Sequence, residues 1–233
     1  MTLQAPLGIV VAMEAERRTL AKLAGSMIEL SGPGPRNAAA AAERLQARGA
    51  RLLVSWGTAG ALVPELPPGA LLVSATTTQD SGPDNLHHDH KLADAIAEAC
   101  AALRPTRGTV CSVSRPACQR SAKEALNRIS GALVVDMESA AVAAVAHRAG
   151  LPFAAVRAVV DPVGFELPPA ALAGLREDGS SSVWPVLVAL LRQPGQLGSL
   201  CRLGLHFRGA LRALEAVAAH LASTSTAPFG APP

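Results

Sequence analysis

Carboxylates stand where apolar runs stop in this chain, and an acid so placed either caps backbone or moves a proton. The stretch over 134–161, VVDMESAAVAAVAHRAGLPFAAVRAVVD, carries Asp136 and Glu138 at one end and Asp161 at the other. The run before Asp161 is apolar except for Arg157, so its carboxyl is partly desolvated. Desolvation disfavours the charged form, raises the pKa and equips the group as a proton donor. Glu138 opens a helix of alanines and valines, where the helix dipole also gives a carboxylate a purely structural use. Glu14 stands at the first change from strand to helix, with the same two readings.

Two glycine-rich stretches supply backbone donors near those acids. Ser31, Gly32, Gly34 and Arg36 lie in SGPGPRN, and Gly57, Thr58, Ala59 and Gly60 follow the apolar run 51–55. Exposed N–H groups in such turns hold anions or sugar oxygens, and the Arg36 guanidinium suits phosphate or carboxylate. Neither stretch fits the G-x-G-x-x-G or G-x-x-x-x-G-K-[ST] spacing, which argues against a dinucleotide or nucleoside triphosphate site. His87, His88, Asp89 and His90 resemble a metal cluster, but no second ligand group stands at matching spacing, and a solvated loop before a helix is expected. No metal is expected. A G-x-S-x-G elbow is absent, and the four cysteines lack C-x-x-C spacing, which suits reduced core thiols.

Strands and helices that alternate must position these groups. Apolar runs over 7–11, 28–31, 51–55, 70–77, 108–114, 134–136 and 154–160 read as strands, with the GTAG stretch as a turn after the third. Helices are expected over 13–23, after Asn37 to about Arg48, from Asp89 to about Leu103, over 121–128 and from Glu138. Such alternation predicts an α/β fold whose sheet is covered on both faces, with ligands beyond the carboxyl ends of its strands. Leu200, Leu203, Phe207, Leu211, Leu214, Val217 and Leu221 recur at steps of three and four, an amphipathic stripe accompanied by Arg202, Arg208 and Arg212. It either packs on the core or lies at an anionic membrane surface as a peripheral contact.

With 233 residues, 49% of them hydrophobic, and a mean hydropathy of +0.28, the chain is long enough for one globular core. No apolar run approaches the roughly 18 residues of a spanning helix, and the first residues lack the pattern of a signal peptide. A cytoplasmic protein is expected, peripheral to the inner membrane face if the stripe touches lipid. The net charge of +3 is too small to imply nucleic acid, and its excess lies beyond residue 183, where four arginines face Glu215 alone.

At these residues the chain resembles the purine and uridine phosphorylase superfamily, over Ile9 to about Val163. AMEAE, SGPGPRNAAAA, SWGTAGALVPELPPGALLVS, DMESAAVA and PFAAVRAVVD carry the resemblance, in that order. It implies a single-domain three-layer αβα sandwich with a central mixed sheet, and cleavage of the N-glycosidic bond of a nucleoside. Asp161 would protonate the departing purine, Met137 and Glu138 would hold the ribose, and Gly57, Thr58, Ala59 and Gly60 would cradle the sugar. Cys118 falls beside the base, where related nucleosidases offer an aromatic, and Val160 replaces a usual serine. In methylthioadenosine/S-adenosylhomocysteine nucleosidases a glutamate matching Glu14 helps to activate water. The phosphorylases instead take phosphate, which Ser31, Gly32, Gly34 and Arg36 would hold, so inorganic phosphate is a candidate co-substrate and no other cofactor is implied. Ser55 stands where hexameric purine nucleoside phosphorylases carry an arginine.

The segment 190–221 resembles the hopanoid-associated phosphorylases, which implies release of adenine from adenosylhopane, a lipid-linked nucleoside. A hydrolytic nucleosidase and a member that binds nucleoside or lipid without turnover are the competing expectations. The resemblance also implies a homo-oligomer. One domain over 1–222 is expected, with an amphipathic helical region over 184–222 and a disordered tail over 223–233.

Overall fold

The computed structural model describes residues 6–79, 82–168 and 194–224. Strand β1 (Leu7–Val11) is buried at all five positions, as an interior strand covered on both faces must be. It lies parallel between β2 (Met27–Leu30) and the long central β3 (Leu52–Ala61). β3 runs parallel to β10 (Phe153–Asp161), which is antiparallel to β4 (Leu71–Ser74), and β4 pairs with the short β7 (Thr106–Arg107). At its far end β3 changes partner: Gly60 and Ala61 pair antiparallel with β9 (Val134–Asp136). From β9 the sheet continues through β8 (Val110–Ser112), β5 (Thr76–Gln79) and β6 (Gly82–His87).

Helices cover both faces. On one side α2 (Pro35–Ala47) and α5 (Ser139–Arg148) present Ala38, Ala41, Ala42, Val142, Ala143 and Ala146 to the sheet, small residues that let helices approach closely. On the other, α3 (Lys91–Ala99) and the C-terminal α6 (Leu197–Thr224) bring Leu92, Ile96, Leu214, Val217 and Leu221 onto Ile9, Val54, Trp56 and Val156. Two short helices, α1 (Glu14–Thr19) and α4 (Arg120–Ser130), sit near the strand ends. The result is the expected single-domain αβα sandwich with a mixed sheet.

Several local expectations change. The GTAG stretch is strand rather than turn, because β10 pairs with it residue by residue from Arg157 opposite Gly57 to Asp161 opposite Gly60, with a bulge at Val160. The first helix ends at Thr19 rather than 23. The run 70–77 divides into β4 and β5 at Ala75, and the helix begun near Asp89 stops at Ala99, followed by one 3₁₀ turn. His88 is buried and packs its ring on Phe153 at 4.9 Å, and among the described residues no group of His, Cys, Asp and Glu could hold a metal ion. The stripe on α6 faces the core: Leu214, Val217 and Leu221 are buried, and Leu203 and Phe207 pack against the same cluster. No helix among the described residues is long and apolar enough to cross a membrane. α6 continues through Thr224, while 184–193 and 225–233 lie outside the described residues.

Candidate active site

At the end of β1 the chain turns into α1, and the third residue of that helix, Glu16, folds its side chain back over the helix N-terminus. Its Oε2 accepts the N–H groups of Ala12 (3.2 Å) and Met13 (3.1 Å). Its Oε1 accepts the Thr58 N–H at 2.8 Å and the Thr58 hydroxyl at 3.0 Å. Glu16 is 2% exposed, and burial pushes its pKa up while the Thr58 N–H is the chief opposing influence. A Cβ on Gly57 would lie 2.7 Å from Glu16 Oε1, so this position of β3 has no room for a side chain unless the carboxylate moves.

Glu138, immediately before α5, reaches the other side of the same space. Its Oε1 accepts the Gly34 N–H at 2.8 Å, and Gly34 adopts φ of 97°, a conformation that favours glycine. Burial and the neighbouring Asp136 carboxylate raise the Glu138 pKa to about 7, against the opposing pull of Arg157 and the Gly34 N–H. Beneath it Arg157 is 2% exposed. Its Nε donates to Asp136 Oδ2 at 2.7 Å, and its Nη2 donates to Ser55 Oγ at 2.5 Å and Ser139 Oγ at 2.9 Å. Asp136 also accepts the Ser112 hydroxyl (2.5 Å) and the Ser139 N–H (3.2 Å), so this buried ion pair has its hydrogen bonds satisfied, the condition under which such a pair is tolerated. Glu16, Ser55, Gly57, Thr58, Glu138 and Arg157 line one small cavity, with about 10 Å³ open to the centre of a water-sized sphere. That is about the room one water needs, and the walls offer it several polar partners.

Asp161 lies farther along the same strand pair. Its carboxylate covers Gly60, where a Cβ would lie 3.0 Å from Oδ2. Burial raises its pKa, as the sequence suggests, and the ammonium of Lys123 beside it acts in the opposite sense. Asp161 does not line the small cavity. Gly57 and Gly60 are three residues apart, roughly 10 Å of extended chain. Cys118, half-buried, feels the charges of both Asp161 and Lys123, and its carbonyl accepts the Leu167 N–H at 3.0 Å. Met137 is half-buried and packs against the cluster of Leu62, Val113 and Val135.

The structure therefore brings together Glu138, Gly57, Thr58 and the Gly34 amide, sets Asp161 over Gly60 farther along β3 with Cys118 near it, and leaves other expected residues outside. Glu14 is the clearest correction: its carboxylate is held by Arg17 at 2.7 Å and by Arg18 on the solvent side of α1. Glu16, two residues on, lines the cavity with Glu138 instead. The sequence held a signal, since Glu14 has basic residues at the third and fourth positions after it, whereas Glu16 has Thr19 and Leu20 and must find its partners elsewhere. The residues expected to bind phosphate do not converge. The Ser31 hydroxyl turns to the carbonyls of Gly32 (2.6 Å) and Val11 (3.2 Å), the Gly34 N–H is taken by Glu138, and Arg36 is exposed in the first turn of α2. Arg157, which interrupts an otherwise apolar strand, was visible in sequence as an anomaly. Lys123 gave no such sign.

Carboxylates at the carboxyl ends of strands in a mixed sheet, with small residues of β3 making room for them, define an α/β enzyme. The chain belongs to the phosphorylase superfamily, whose sequence pattern matches residues 22–174. No curated protein matches the chain by sequence. Among solved structures, the 5′-methylthioadenosine/S-adenosylhomocysteine nucleosidase of Neisseria meningitidis, in complex with methylthio-immucillin-A, is similar at a TM-score of 0.70 and 18% identity, covering 94% of this chain and 99% of that one. A mutant nucleosidase of Helicobacter pylori with 5′-methylthioadenosine in its active site is similar at 0.68 and 16%, covering 95% and 98%. Futalosine hydrolase of Helicobacter pylori is similar at 0.65 and 20%, covering 82% and 99%. At these identities the likeness is one of fold.

Proposed function

We propose that the protein cleaves the N-glycosidic bond of a 5′-substituted adenosine and releases adenine, with water as the nucleophile. The observation that carries this reading is the small cavity walled by Glu16, Glu138 and Arg157. A water there is placed to give its proton to Glu16 as its oxygen bonds to C1′, while Glu138 accepts ribose hydroxyls. The developing oxocarbenium is stabilised by nearby carboxylate, and the leaving base needs a proton, which Asp161 supplies from about one nucleoside length away. The dispersal of Ser31, Gly34 and Arg36 favours water over phosphate. So does Ser55 beneath the cavity, where its hydroxyl accepts from Arg157 rather than leaving a free cation.

The substituent we propose is apolar, with adenosylhopane as the specific substrate. The resemblance of the C-terminal segment supports this, as does the start of α6, where Leu197 and Leu205 stay exposed with Arg202 and Arg208 beside them, a surface suited to lipid contact. Incubation with 5′-methylthioadenosine and with adenosylhopane, with and without phosphate, tests the reading. Free adenine and a reducing sugar in phosphate-free buffer are expected; sugar 1-phosphate formed only with phosphate would make the enzyme a phosphorylase. Ligand-dependent melting with no product from any adenosine would make it a binding protein.

A further inference from the structure

Lys123 is the only buried residue of α4, and its side chain is fully enclosed. Its ammonium meets Asp161 Oδ2 at 2.5 Å and donates to the carbonyls of Pro162 at 3.1 Å and Phe165 at 3.0 Å. These three acceptors use all three of its protons. Enclosing a cation is costly, and an apolar residue of similar length would fill the space at lower cost, so fold stability alone does not account for a lysine here. The groups that act on Asp161 electrostatically are Lys123 from α4 and His206 from α6, while Cys118, before α4, feels Asp161 in turn. Glu166, in the following loop, is exposed. The His206 ring packs on Phe165 at 5.6 Å, so the backbone that Lys123 ties down also carries the contact to α6.

The geometry points to Lys123 as the positioning residue of the leaving-group acid: it holds Asp161 through Oδ2 and clamps the 162–165 turn beside it. This rests on the glycosidic-cleavage reading and assigns the chemistry of its departing side. As C1′–N9 breaks, the bonding pair passes into the adenine ring and the Asp161 proton moves to N7. The water oxygen bonds to C1′ and its proton goes to Glu16. Asp161 is left as a carboxylate against the Lys123 ammonium, so charge that develops in the transition state meets a fixed cation, and Asp161 regains its proton from solvent once the base has left.

The test compares wild type, Lys123→Met and Lys123→Arg by the pH dependence of kcat/KM for adenine release. A general acid must be protonated, so the rate falls as pH rises through its pKa. Removing the ammonium raises that pKa, and in Lys123→Met the alkaline limb is expected to move up by about one pH unit or more while the plateau falls roughly 10- to 100-fold through kcat. Lys123→Arg, which keeps the charge, is expected to restore the wild-type limb. A lower plateau with an unmoved limb would reduce Lys123 to a structural part and overturn the proposal. The Asp161 carboxyl ¹³C titration, assigned with Asp161→Asn, reads the same pairing without turnover. If no adenosine is cleaved, the functional reading fails, yet a titration that shifts between wild type and Lys123→Met still supports the pairing, and an unshifted one overturns it. Should Lys123→Met not fold, Lys123→Gln takes its place in both measurements.

Discussion

Replacing Glu16 by Gln keeps a hydrogen-bonding side chain of the same shape but removes the group that takes the proton from water. Adenine release is expected to fall roughly 100-fold or more, in kcat rather than KM. Glu14→Gln, two residues away, is expected to stay within about twofold, since a half-buried carboxylate paired with Arg17 at the surface contributes little. A steady-state assay of the two variants checks both. Glu138 adds a prediction with a sign. Its folded pKa of about 7 lies above the ordinary glutamate value of 4.5, so the folded state holds a proton that the unfolded state loses. Stability from this group is present below about pH 4.5 and is lost as pH rises to 7. Glu138→Gln is therefore expected to melt higher than wild type at pH 8, by about 1–3 kcal/mol, and close to it at pH 5, while losing activity at both. Calorimetry at the two pH values decides it.

On the scale of elements, β3 does the positioning. Its GTAG segment gives Glu16 a Thr58 amide, makes room for Glu16 at Gly57 and for Asp161 at Gly60, and spaces the two acids. Gly57→Ala is expected to fold yet lose more than tenfold in activity, because the added methyl meets a carboxylate held by four hydrogen bonds; circular dichroism and adenine release would show the split. The strands and helices of this fold were largely legible because buried parallel strands read as unbroken apolar runs, as in β1 and β10. The extent of β3 was not. Gly, Thr and Ala read locally as a turn, and only pairing with β10, nearly a hundred residues on, makes them strand. The same limit explains the site. Asp161 and Glu138 stand at strand and helix ends that the sequence shows, whereas Lys123 is buried by a partner distant in sequence, and nothing local to Arg36 tells that it stays exposed.

For the whole molecule, α6 is the element that closes the second face of the sheet. Leu214→Ala is expected to cost about 2–5 kcal/mol, a fall in Tm of several degrees or more for a chain of this size. Leu205→Ser, at a site 66% exposed, is expected to leave Tm unchanged. Thermal melts of both distinguish a core helix from one held only at a surface. If Leu205→Ser also weakens turnover of adenosylhopane while sparing 5′-methylthioadenosine, the exposed start of α6 handles the lipid.

The hydrogen bond from Gly34 to Glu138 means that the carboxylate we propose for ribose binding is already engaged by the protein's own main chain. A ligand hydroxyl that takes Oε1 would release that amide, whereas one that takes Oε2 would leave it in place, because a carboxylate accepts more than one donor. Faster deuterium exchange at Gly34 in the presence of a substrate analogue would be the signature of the first arrangement, and unchanged exchange that of the second.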